Sequence, residues 1–111
     1  MNLLVIQYAA DTKRSSDFYQ LLGFSPRPSG GDDRWIEHDG VSLTWAVHQG
    51  EGEYRPGTHD LSFSTDEPLA DLAARLEAAG YKAAIKEEPW GPALHTEDPD
   101  GAPVMVCAAN G

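Results

Sequence analysis

Asp17-Phe18-Tyr19-Gln20-Leu21-Leu22-Gly23-Phe24 and Leu76-Glu77-Ala78-Ala79-Gly80-Tyr81 decide how this chain reads. Each ends a run of helical spacing on a glycine, and each glycine is followed at once by an aromatic residue. Glycine takes the left-handed conformation that closes a helix, and an aromatic residue suits the first position of a strand. The same local instruction therefore occurs twice. Outward from the second copy, Leu69, Leu72, Ala73, Leu76 and Ala79 lie on one face at spacings of three and four, which predicts a helix from Leu69 to Ala79. Asp66 and Glu67 precede it at the positive end of the helix dipole, and Pro68 suits its first turn. Outward from the first copy, Asp11 is an N-cap, and a helix is expected from Thr12 to Leu22 with Phe18, Leu21 and Leu22 turned inward.

The segments between the helices read as strands: Leu3–Tyr8, Arg34–His38, Val41–His48, Leu61–Thr65, Tyr81–Lys86, Leu94–Glu97 and Pro103–Ala108. Asp39-Gly40 is a strong two-residue hairpin signal, and Asp98-Pro99-Asp100-Gly101 a tight turn. Gly23-Phe24 recurs 57 residues on as Gly80-Tyr81, and Asp39-Gly40 recurs 61 residues on as Asp100-Gly101. One loop insertion accounts for the difference. The sequence is thus read as an internal repeat of two βαβββ modules, residues 1–50 and 59–111, joined by a Gly-rich linker over 50–58 in one domain of 111 residues.

Composition narrows the function classes. Eight Lys and Arg against eighteen Asp and Glu give a net charge of −10, which excludes a non-specific nucleic-acid binder. No apolar run is long enough to span a bilayer, and Met1-Asn2-Leu3-Leu4 lacks the basic start of a secretion signal. Cys107 is the single cysteine, so no disulfide forms within the chain, and a cytoplasmic location is expected.

Three stretches carry a resemblance to a known family. Asp17–Phe24 resembles its FYxxLLGF helix end; Leu61-Ser62-Phe63-Ser64 leading to Leu76–Gly80 resembles the opening of its second module; Pro89-Trp90-Gly91 followed by Asp98-Pro99-Asp100-Gly101 resembles its PWG…DPDG close. The sequence is similar to the vicinal oxygen chelate superfamily, the glyoxalase/bleomycin-resistance/dioxygenase proteins. The resemblance implies an α+β fold in which two tandem βαβββ modules form a curved mixed sheet around a concave ligand cleft. It fixes no single activity, since the superfamily holds isomerases, dioxygenases, thiol transferases and drug-sequestering proteins.

Enzymes of this superfamily hold a divalent metal through the first and last strand of each module. Those positions here are Leu4, Thr44, Asp60 and Met105. Only Asp60 is a good ligand for a hard ion, so no metal or other cofactor is expected. The histidines (His38, His48, His59 and His95) show no HxxxH or HExxH spacing, and each reads by default as a surface or packing residue.

Strand alternation assigns the concave face. Thr44 places Ser42, Ala46 and His48 there, and pairing across Asp39-Gly40 sets Trp35 opposite Thr44 and Glu37 opposite Ser42. Asp60 adds Ser62 and Ser64, Leu4 adds Ile6 and Tyr8, and Met105 adds Pro103 and Cys107. Leu43, Trp45, Val47, Leu61, Phe63, Val104 and Val106 fall on the opposite, core face. The expected ligand-binding set is Tyr8, Trp35, Glu37, Ser42, Thr44, His48, Asp60, Ser62, Trp90 and Met105. Aromatic and apolar walls with few polar groups suit a bulky organic ligand, with Trp35 and Tyr8 as stacking partners and Trp90 at the rim.

Two functional readings follow. The first, by likeness to the bleomycin-resistance branch, is a non-catalytic, metal-free homodimer that sequesters an antibiotic, with the acidic surface attracting a cationic one. The second is a glyoxalase-like lyase or isomerase, or a dioxygenase-type enzyme. It would use a displaced divalent-metal site drawn from Glu37, His48, His59 and Asp60, or acid–base chemistry by Glu37 or Asp60.

Overall fold

The computed structural model describes residues 5–28, 34–40, 42, 43, 46, 49, 52, 55, 56 and 60–109. Helix α1 spans Thr12–Leu21 and α2 spans Leu69–Ala78. The Asp11 carboxylate caps α1 by accepting from the Arg14 amide at 3.1 Å. Both helices end on the same device. Gly23 and Gly80 have φ of +103° and +95°. Their amides donate to Gln20 and Glu77, while those of Phe24 and Tyr81 donate back to the carbonyls of Tyr19 and Leu76. This is the Schellman closure that the repeated Gly-aromatic pairs specify, and it lets an aromatic ring fold back on the last turn.

The C-terminal half is a complete βαβββ unit. Strand β3 (Ser62–Thr65) runs parallel to β6 (Pro103–Ala108), which is antiparallel to β5 (Gly91–Glu97), itself antiparallel to β4 (Ala83–Glu88), the first two strands labelled here being β1 (Ser25–Pro26) and β2 (His38–Asp39). The sheet order is β3-β6-β5-β4, so the fold is α+β with a mixed sheet, as the sequence implies. Helix α2 lies on one face, burying Leu69, Leu72, Ala73 and Leu76 against Leu94, Val104 and Val106. At about 25 cal/mol per Å² of apolar area, such packing is the main stabilising term.

Helix α1 joins this same core. Phe18 is fully buried, and its ring meets Tyr81 edge-on at 4.9 Å between centroids. Phe63 in β3 is packed against by Tyr19 and Phe24 at 6.4 and 5.6 Å. Arg75 of α2 donates from Nε to the carbonyl of Leu21 at 2.9 Å, satisfying an acceptor that the helix end leaves open, and grips the Glu67 carboxylate at 2.6 and 2.9 Å.

Several expected strands differ. Residues 5–8 form none, correcting the described part of the expected Leu3–Tyr8 strand. Side chains hold this segment instead: Gln7 donates to the buried Asp98 carboxylate and accepts from Tyr19 Oη at 2.7 Å, and the Ala10 amide points at Asp100. Of the expected Arg34–His38 strand only His38 lies in β2, and β2 pairs with β1. Among the described residues Glu37 and Ser42 belong to no ladder, and the Glu37 carbonyl accepts from the Arg27 amide at 2.7 Å. Arg27 also binds the carboxylates of Glu37 and Asp39, which turns this stretch toward residues 25–27. Strand β4 begins and ends two residues later than expected, and β5 begins three residues earlier, because Pro89-Trp90 alone links them, with Glu88 opposite Gly91. Most of Val41–His48 and of the expected linker lies outside the described residues.

Candidate functional site

The sheet face turned away from α2 is set by register. Ser62 lies beside Met105, Met105 opposite His95, and His95 opposite Ala84, forming one cross-strand row. Two residues along, Ser64, Cys107, Ala93 and Lys86 form the next. The alternation expected from the sequence holds in β3 and β6: Phe63, Val104 and Val106 pack inward, while Ser62 and Ser64 are exposed and Met105 and Cys107 half-buried.

His95 gives this face its chemistry. Its Nε2 lies 2.9 Å from Glu88 Oε1, and the two side chains retain only 34% and 25% of their full exposure. An ionised carboxylate only accepts, so Nε2 carries the proton and, in the neutral ring, Nδ1 presents a lone pair. Ala93 lies between the pair on the same face and is fully buried, although it stands apart from the core cluster around α2.

The remaining expected site residues are spread out. Tyr8 is 89% exposed. Trp35 and Glu37 come together, with the indole N–H donating to Glu37 Oε2 at 3.0 Å, and both stay exposed. Ser42 and Asp60 are exposed, and Trp90 sits exposed at the tip of the β4–β5 hairpin. Thr44 and His48 lie outside the described residues, as do Leu4, His59 and Trp45. His95 and Glu88 were not among the expected site residues. A register in which Pro89-Trp90 is the whole loop puts 88 and 95 on one face, and that was the signal to find them.

Other titratable groups serve the frame. Burial pushes the Tyr19 phenol up and pulls the His38 imidazole down. His38 Nε2 lies 2.8 Å from the Ser16 hydroxyl, tying β2 to α1. Hydrogen bonds from Arg75 and Arg27 hold the carboxyls of Glu67 and Asp39 below their ordinary values.

Two surface hollows among the described residues are shallow and lie elsewhere. One of about 430 Å³ is lined by Glu77 and residues 80–83, and one of about 340 Å³ by residues 65–69, Ile85, Pro92 and 108–109. On the face bearing His95, Ser62, Ser64, Ala84 and Lys86 are exposed. Of the four positions at which the fold family holds a metal, Asp60 and Met105 are described. A half-buried thioether is a poor donor to a hard divalent ion, and among the described residues no three His, Cys, Asp or Glu converge. The residues present there do not fit such an ion.

Comparison with solved structures shows the fold. TnmS3, an antibiotic binding protein from Streptomyces sp. CB03234, matches with TM-score 0.62 and 24% identity over 97% of this chain and 98% of that one. A lactoylglutathione lyase from Agrobacterium tumefaciens matches with TM-score 0.64 and 18% identity over 93% and 89%. A glyoxylase/bleomycin resistance protein/dioxygenase domain from Frankia sp. EAN1pec matches with TM-score 0.58 and 23% identity over 95% and 97%. The chain shares the fold of these proteins. No protein-family model matches it, and no curated protein matches it either. Among the described residues, no helix is long and apolar enough to cross a membrane.

Proposed function

We propose that the chain is a non-catalytic small-molecule binding protein that sequesters an organic antibiotic on the sheet face carrying Ser62, Met105 and His95. The observation that carries this reading is the composition of that face. A thioether stands where the family's enzymes place a metal ligand, and it is flanked by a hydroxyl and a carboxylate-backed imidazole. Such a surface holds an aromatic ligand through contact and a few hydrogen bonds, without a Lewis acid. The likeness to TnmS3 agrees with it. The net charge of −10 favours a cationic ligand.

The open face needs a second wall. Val5, Ile6, Trp35, Leu61 and Trp90 expose roughly half of their surface, and a homodimer that covers them would close the cleft. The protein then confers resistance from the cytoplasm by stoichiometric capture. Equilibrium dialysis against cationic glycopeptide, quinoline and quinone antibiotics tests this. Retention of one of them, recovered chemically unchanged and with chelator without effect, is expected. Metal-dependent conversion of the ligand would instead establish a glyoxalase-like enzyme, the reading that the likeness to lactoylglutathione lyase favours.

A further inference from the structure

We infer that His95 is the specificity-determining anchor of this face and selects aromatic ligands bearing a hydroxyl group, whose O–H donates to Nδ1 while the ring lies against Met105. The inference rests on the binding role proposed above and names the ligand class. Its basis is the orientation of one imidazole. Glu88 engages Nε2, which fixes the proton there and leaves Nδ1 as an acceptor with no partner among the described residues. A half-buried acceptor without a partner discriminates strongly, because a ligand lacking the matching donor leaves it unpaired.

The neighbours set the rest of the ligand. Met105 lies directly opposite His95, and a thioether makes favourable contact with an aromatic ring. On the other side the residue directly opposite His95 is Ala84, a small side chain. Ser62, next to Met105, offers a second hydroxyl for a substituent across the ring. Glu88 is a positioning residue. It fixes the tautomer and the ring plane, and it strengthens the imidazole as an acceptor.

The test compares 3-nitrophenol with its methyl ether, 3-nitroanisole, by quenching of tryptophan fluorescence at about pH 7.5, below the phenol's own pKa and above the ordinary histidine range, so that phenol and imidazole are both neutral. The wild-type protein should bind the phenol about tenfold more tightly than the ether, the ratio expected from one well-placed hydrogen bond to a carboxylate-backed acceptor. His95→Phe should bring the two probes to equal affinity. His95→Gln, which keeps an acceptor, should restore part of the preference, and Glu88→Gln should reduce it. Met105→Ala should weaken both probes alike. Equal wild-type affinities, or a preference that survives both His95 variants, would overturn the inference and leave the binding role standing. Binding of neither probe would count against both.

Discussion

The two halves of this chain carry the same instruction and execute it differently. In the C-terminal half, β3, α2, β4, β5 and β6 close on one another: α2 has four buried apolar residues, and each strand facing it contributes its own. In the N-terminal half, α1 buries one large side chain, Phe18, and two serines, and the described residues add only the two-residue ladder of β1 and β2. The capping devices match, yet among the described residues the cores do not. A helix end is specified within six residues, whereas a sheet is specified by what it packs against. The N-terminal half packs against its neighbour, through Phe18 on Tyr81, Arg75 on Leu21 and Gln7 on Asp98.

That dependence is breakable at each joint. Phe18→Ala should have the largest effect, a loss of about 3–5 kcal/mol in urea unfolding, because it empties a fully buried site shared by both helices. Hydrogen exchange should then be faster in α1 than in α2. Equal acceleration in both would mean that the halves form one cooperative unit. Asp98→Ala should cost about 1–3 kcal/mol. It strands the amides of Asp100 and Ala102, each held at 2.9 Å, and releases Gln7. Replacement by Asn should recover part of that loss.

Arg75→Met should cost about 1 kcal/mol, since it keeps the apolar stem but removes the donor to Leu21. Its exchange signature should be confined to the end of α1. The smallest effect concerns pH. Burial holds His38 below the ordinary 6.5, so as pH falls through that value the unfolded chain takes up the proton first. Stability should be full above pH 6.5, decline below it, and level off once His38 is protonated in the fold as well. A pH series of melting temperatures should show this acid-side slope in the wild type and a shallower one in His38→Gln.

The same contrast explains what could be read from the sequence. Asp11, the Gly-aromatic pairs and the apolar stripe of α2 act locally, and all are found as read except Ala79, which is the exposed C-cap residue rather than part of the buried stripe. Alternation placed Phe63, Val104 and Val106 inside and Ser62 and Met105 outside, because both strands have a buried face that fixes their register. The partner of β2 lies at Ser25–Pro26, a non-local choice drawn by Arg27 between Glu37 and Asp39, which turn propensity does not encode. The His95–Glu88 pair was hidden for a related reason. Ending the strands at Lys86 and starting again at Leu94 left Glu88 in a loop, and only the tight Pro89-Trp90 link brings it onto the face of His95.

Everything said about function depends on the ligand lying on the sheet face opposite α2. Amide chemical-shift mapping of the ¹⁵N-labelled protein, titrated with the tightest ligand found by dialysis, tests this directly. The largest shifts should fall at Ser62, Met105 and His95, with Leu72 and Leu76 unmoved. Shifts concentrated on α2 or around residues 80–83, with the row from Ser62 to His95 silent, would contradict the account.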